Sequence, residues 1–133
     1  MRYRLAVASL LVAGLIASIA LAAPNRVNVT FESFAASGVS GDATLTAQPN
    51  GQVQIHASLR GLEPNTQYSA LIFDASQTCD VATSSQEVIQ FKSNPAGVVT
   101  WNEKVGMELG SIQSIGIRLV SDNSLKACAT VTP

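Results

Sequence analysis

Residues 43–59 read ATLTAQPNGQVQIHASL, and this stretch decides the fold class. In residues 43–47 and 53–59 apolar side chains alternate with polar ones, which is the period of a strand with one buried face. Between the two runs, Pro49-Asn50-Gly51 supplies turn residues, and an Asn-Gly pair flanked by alternating runs is a strong hairpin signal. The stretch therefore predicts two antiparallel strands joined by a short turn.

Strand-like segments continue in both directions from this hairpin. Residues 27–32 alternate in the same way, and residues 68–73 form a nearly continuous apolar run, typical of a central strand covered on both faces. The other predicted strands are 88–92, 98–105, 115–120 and 125–131, with Ser93-Asn94-Pro95-Ala96-Gly97 suited to a second hairpin turn. About eight short strands without helical periodicity predict an all-β, antiparallel β-sandwich or flattened barrel.

The first 22 residues predict an export signal. Arg2 and Arg4 precede an uncharged apolar run, and Ala20-Leu21-Ala22 is an A-x-A site for signal peptidase. Cleavage after Ala22 leaves residues 23–133 as one domain, secreted or periplasmic. An uncleaved anchor stays open as an alternative, because about 19 apolar residues are nearly enough to span a bilayer.

The charge balance narrows the possible partners. Charged residues make up 13% of the chain, and outside the signal six basic residues are scattered among nine acidic ones. Phosphate neutralisation needs clustered Lys and Arg, so we expect no nucleic-acid partner. We expect no membrane contact after signal cleavage either, and the expected partner is an unidentified protein or cell-envelope component.

Cys79 and Cys128 are the two cysteines of the chain. An exported protein with an even number of cysteines most simply pairs them, so we expect one disulfide. A catalytic thiol or a metal ligand is disfavoured, because neither residue has a Cys or His within several positions.

Other polar residues offer weaker candidates for a site. Asp74, Asp80 and Glu87 could supply calcium ligands, but their spacing fits no known calcium loop, and solvated carboxylates are the favoured interpretation. His56 alternates with polar neighbours, which predicts a surface histidine, and one histidine without a G-x-S-x-G motif disfavours a hydrolase. Asn28-Val29-Thr30 matches the N-glycosylation pattern, which we attribute to chance.

Five aromatic residues could form either a core or a ligand-binding face. At strand positions such side chains are more often core, and we expect core positions for them. They are Phe31, Phe34, Tyr68, Phe91 and Trp101.

Several segments, in their order along the chain, carry a resemblance to a known family. They are Ser40-Gly41-Asp42-Ala43-Thr44-Leu45-Thr46, residues 53–59 with Gly61-Leu62-Glu63-Pro64-Asn65, and Leu125-Lys126-Ala127-Cys128. They resemble the first hairpin, the strand with its G-L-x-P-G/N turn, and the R-L-A-C segment of the copper/zinc superoxide dismutases and their non-catalytic relatives. The resemblance implies a Greek-key barrel and a family disulfide between Cys79 and Cys128.

The sequence departs from that family at every metal ligand. The H-x-H strand corresponds to Leu71 and Phe73, and no histidine lies near Val120, where a further copper ligand belongs. The family's zinc-binding loop corresponds to residues 80–87, which contain no histidine. The arginine that guides the substrate anion in that family corresponds to Leu125, with Lys126 the nearest cation. One remaining histidine cannot hold copper in both oxidation states. We therefore predict no catalytic residue, no metal and no cofactor.

These observations predict an exported, superoxide dismutase-like β-sandwich that is not an enzyme and acts as a binding or structural module. Two alternatives stay open. One is a residual dismutase or metal-binding protein with unrecognised ligands. The other is an immunoglobulin-like adhesion or carbohydrate-binding module, favoured if Tyr68 or Trp101 is exposed.

Overall fold

The structure is a computed structural model that describes residues 25–132, so the predicted export signal lies outside the described residues. Eight strands and one short 3₁₀ segment follow one another along this part of the chain. They are β1 (Arg26–Ser33), β2 (Ser40–Ala47), β3 (Val53–Arg60), β4 (Gln67–Phe73), β5 (Ser85–Lys92), β6 (Val99–Val105), η1 (Leu109–Ser111), β7 (Ser114–Leu119) and β8 (Leu125–Thr130). The prediction of an all-β fold with about eight strands is confirmed.

The eight strands form one sheet in the order β5-β4-β7-β8-β1-β2-β3-β6, and every hydrogen-bonded pair is antiparallel. The two edge strands, β5 and β6, approach each other without forming a ladder. The sheet is therefore curved into a nearly closed barrel. Within residues 25–132, no helix is long and apolar enough to span a bilayer.

The hairpin predicted from residues 43–59 is confirmed. β2 pairs with β3 along its whole length, and the last pair before the turn is Ala47 with Val53. Gly51 closes the turn with a φ of +76°, a backbone conformation that glycine adopts without a steric penalty. Along β3 every second side chain is buried and those between are half-buried or exposed, so one face of this hairpin lines the interior of the barrel.

The second predicted hairpin is wrong in its pairing. Residues 93–98 do connect β5 to β6, but β5 pairs with β4 and β6 pairs with β3. β5 also begins at Ser85, three residues before the predicted strand, because β4 continues to pair with it up to Phe73. Turn residues report only that the chain reverses, and the choice of partner strand depends on the distant strands β3 and β4.

Four of the five aromatic residues are buried as expected, and the prediction for Phe34 is wrong. Tyr68 stacks on Phe91 with ring centroids 5.8 Å apart, and Phe91 stacks on Trp101 at 6.4 Å. Burial raises the pKa of the Tyr68 phenol, whose oxygen accepts a hydrogen bond from the Glu63 N–H at 2.9 Å. Phe34 is 49% exposed, because it lies just beyond the end of β1, where strand alternation no longer orients side chains.

Candidate functional site beside the disulfide

A disulfide joins Cys79, in the loop between β4 and β5, to Cys128 in β8. The pairing agrees with the expectation from the sequence, and it leaves no free cysteine. The Cα atoms are 5.9 Å apart, within the usual range for disulfides. The bridge fixes the middle of a loop, residues 74–84, against the outside of the barrel.

Hydrogen bonds hold the same loop on both sides of Cys79. The Cys79 N–H donates to the Ser114 hydroxyl oxygen at 3.2 Å, and that hydroxyl donates to the Ser76 carbonyl. The Thr130 hydroxyl donates to the Gln77 carbonyl at 2.8 Å. Ser114 and Cys79 are both buried, so the Ser114 hydroxyl satisfies a Cys79 N–H group that water does not reach. The loop is therefore attached to β7 and β8 independently of the disulfide.

Beneath this loop lies a second apolar cluster, separate from the main core, which we call the outer cluster. It consists of Leu71, Phe73 and Cys79, with Leu125 and Cys128 packed against it. The residues of β4 that alternate with them, Ala70 and Ile72, belong to the main core inside the barrel. β4 thus buries both of its faces, which confirms the prediction from its continuous apolar sequence.

Gly116 on β7 leaves room for the outer cluster. A Cβ atom at this position would lie 2.9 Å from Cε2 of Phe73, 3.1 Å from Cδ1 of Leu125 and 3.3 Å from Cβ of Cys79. The first of these distances is shorter than a van der Waals contact. The phenyl ring of Phe73 is therefore packed directly against the backbone of β7.

The outer cluster occupies the positions at which the family resemblance puts two copper ligands. Leu71 is 9% exposed and Phe73 is completely buried, and neither side chain has a lone pair for a metal. Leu125, at the position of the guiding arginine, packs against the same cluster. The residues present do not fit a copper ion, and no group of three or more His, Cys, Asp or Glu in residues 25–132 could hold a metal.

The structure does not bring the candidate polar residues together into a site. Asp74 accepts a hydrogen bond from the Ser84 hydroxyl at 2.9 Å, and Asp80 accepts one from the Ala82 N–H at 3.0 Å. Glu87 is exposed on β5. His56 is exposed on β3, on the outer face of the sheet. Asp74 and Asp80 are therefore surface groups with local hydrogen-bond partners, and His56 is exposed as the sequence predicts.

An open apolar groove lies beside the disulfide. It has a volume of about 440 Å³, and its lining includes Phe34, Val81, Leu125 and Cys79. Phe34 and Val81 are 49% and 54% exposed, which makes them the most exposed large apolar side chains of residues 25–132. Phe34 also lines a second hollow of about 220 Å³, whose lining includes Cys128. The exposed ring therefore borders two depressions.

The backbone next to Phe34 is held in an unusual conformation. Ala35 and Ala36 both have positive φ angles, 52° and 57°, which are uncommon for residues with a side chain. The Phe34 N–H donates to the Lys126 carbonyl at 2.9 Å, and the Ser37 hydroxyl donates to the same carbonyl. These contacts fix the turn against β8. No pattern in the sequence predicts the groove, because its walls come from three separate loops.

The fold and this site define the chain as a disulfide-linked, all-β barrel with an apolar cluster and groove on one outer face. Comparison of the sequence with models of protein families and with curated proteins finds no match. The resemblance to the superoxide dismutases therefore stays a prediction from the sequence.

Proposed function

We propose that this chain is an exported, superoxide dismutase-like barrel without a catalytic metal site, which works as a binding or structural module. The outer cluster is the observation that carries the proposal. Leu71 and Phe73 pack against the disulfide where the resemblance calls for histidines, so these positions stabilise the fold and offer no ligand to a metal. A barrel that keeps its disulfide without metal ligands is suited to recognition rather than redox chemistry.

The order of the strands supports the superoxide dismutase-like part of the proposal. β5 and β6 approach each other, so they count as neighbours in the barrel although they form no ladder. The spatial order of these four strands is then β3, β6, β5, β4. Three consecutive strands with the fourth beside the first is the definition of a Greek key. The disulfide from the loop after β4 to the last strand also lies where the resemblance implies it.

Two alternative functions remain less well supported. A residual metalloprotein would need a ligand set, and the described residues offer no such group. An exposed Tyr68 or Trp101 would favour an immunoglobulin-like carbohydrate or adhesion module. These two side chains are only 1% and 5% exposed. Within residues 25–132 the exposed aromatic residue is Phe34, so the groove beside it is the surface that we assign to partner contact.

The absence of dismutase chemistry is tested with the exported protein after loading with copper and zinc. We expect no superoxide dismutation above that of free copper in the same buffer, because Leu71 and Phe73 provide no donor atoms. Elemental analysis after extensive dialysis should find less than one metal ion per chain. Metal-dependent dismutation well above the free-copper control would put the enzyme alternative first.

The binding role is tested by capture of partners from the periplasm or culture medium with two matched variants. Phe34→Ser removes the exposed ring that lines the groove, and we expect it to weaken capture at least about tenfold, since aromatic side chains buried in an interface dominate binding energies. Val98→Ser is the control, because Val98 is 40% exposed but lies in the loop between β5 and β6. Equal capture by the parent protein and both variants would remove the groove from the proposal.

A further inference from the structure

The opening between β5 and β6, which we call the seam, is the one place in the described part of the chain where neighbouring strands of the barrel are not paired. β5 is hydrogen-bonded only to β4, and β6 only to β3, among residues 25–132. Near the connecting loop, the stacked rings of Phe91 and Trp101 bridge the two strands. Elsewhere the facing edges carry backbone N–H and C=O groups without a strand partner. Such an edge is a template for pairing with another chain.

Glu103 is the residue of β6 that interrupts its otherwise apolar inner face. It pairs in register with Ile55, which is fully buried, so the Glu103 side chain points to the interior side of the sheet. Its neighbours on that face, Trp101 and Val105, are 5% and 4% exposed, whereas Glu103 is half-buried. The Glu103 side chain thus lies on the apolar face of an edge strand and keeps part of its surface in contact with solvent.

A carboxylate in this position is compatible with an open edge and incompatible with a paired one. A strand added to β6 would place its own side chains beside Glu103 and remove the water that now solvates the carboxylate. Burial of a charge without a partner is strongly unfavourable. Two copies of the chain would pair most simply by a two-fold axis, with β6 antiparallel to itself. The two Glu103 carboxylates would then approach each other, and like charges across a strand pair repel.

We propose that Glu103 keeps this chain from pairing with a second copy of itself through the free edge of β6. The inference concerns self-association and does not depend on the function proposed above. When the Glu103 charge is removed, the inner face of β6 becomes apolar throughout. We then expect the free edge of β6 to pair with a second copy of the chain.

The test compares the association of the parent protein with that of Glu103→Val by sedimentation over a range of protein concentrations. We expect a monomeric parent protein and an association constant at least about tenfold higher for Glu103→Val, equal to about 1.4 kcal/mol. Glu103→Thr serves as a second strand-forming variant if the valine protein folds poorly. The matched control is Asp42→Val, which also removes one carboxylate but lies on β2, whose two edges are both paired.

Hydrogen exchange then locates the contact. In the self-associated Glu103→Val protein, the amides of residues 99–105 that face the seam, rather than those bonded to β3, should exchange at least about tenfold more slowly than in its monomer. A parent protein that already dimerises through β6 would overturn the proposal. So would folded valine and threonine variants that stay monomeric, equal association by Asp42→Val, or association without added protection in β6.

Discussion

Replacement of both cysteines, Cys79→Ala together with Cys128→Ala, is expected to lower the free energy of unfolding by about 4 kcal/mol. The two residues are 49 positions apart, and a crosslink over such a distance strongly restricts the unfolded chain. The total stability of a domain of this size is about 5 to 15 kcal/mol, so the loss is a large share. Denaturant unfolding of the parent and the double variant measures it.

Ser114→Ala provides the comparison for this experiment. It removes the hydroxyl that accepts from the Cys79 N–H and donates to the Ser76 carbonyl, while the disulfide remains. We expect a loss of about 1 to 3 kcal/mol, because buried backbone groups lose their partner. If the double cysteine variant lost less than Ser114→Ala, the hydrogen bonds rather than the crosslink would be the main attachment of the loop.

Introduction of the family's histidines, Leu71→His with Phe73→His, is expected to destabilise the protein by roughly 1 to 3 kcal/mol for each site. Both side chains belong to the outer cluster, where imidazole nitrogens would be buried among carbon and sulfur atoms. The backbone of Gly116 lies directly against Phe73, so the site has little space to rearrange. Dismutase activity should not appear, because a copper site needs more ligands than these two positions supply.

The control for the histidine variants is Gln90→His. Gln90 is exposed on β5 and pairs in register with Ser69 of β4, on the same outer face as Leu71. An exposed imidazole keeps its water, so we expect a change within about 0.5 kcal/mol. Unfolding in denaturant compares the three proteins. A double variant as stable as the parent would show that the outer cluster has room for polar groups, and copper-dependent dismutation by it would contradict the assignment.

Much of the fold can be predicted from local sequence. Alternation in residues 53–59 identified β3 and its buried face, and the unbroken apolar run of residues 68–73 identified a strand with both faces covered. Each of these inferences depends on side chains within one strand, where the two-residue period is set by backbone geometry. The pairing of Cys79 with Cys128 could also be predicted, because the chain has no other cysteine.

The position of the candidate site was harder to predict from the sequence. The sequence identified Leu71 and Phe73 as apolar replacements for histidines, but not that they form a cluster with the disulfide and Leu125. Phe34 was predicted to be core and instead borders the groove. Its environment depends on the turn after β1 and on two distant loops, and no periodic pattern in the sequence encodes such a meeting of loops.

The sequence by itself determined which segments are strands, which face of each is buried and which cysteines can join, because these depend on side-chain period and composition. Tertiary structure decided which strands are neighbours. Turn residues between β5 and β6 predicted a hairpin, yet the two strands pair with β4 and β3 and leave a seam between them. Strand pairing maximises contact over the whole barrel, so a local turn signal is overridden when distant strands offer better partners. The same non-local packing creates the outer cluster, the groove and the inward position of Glu103.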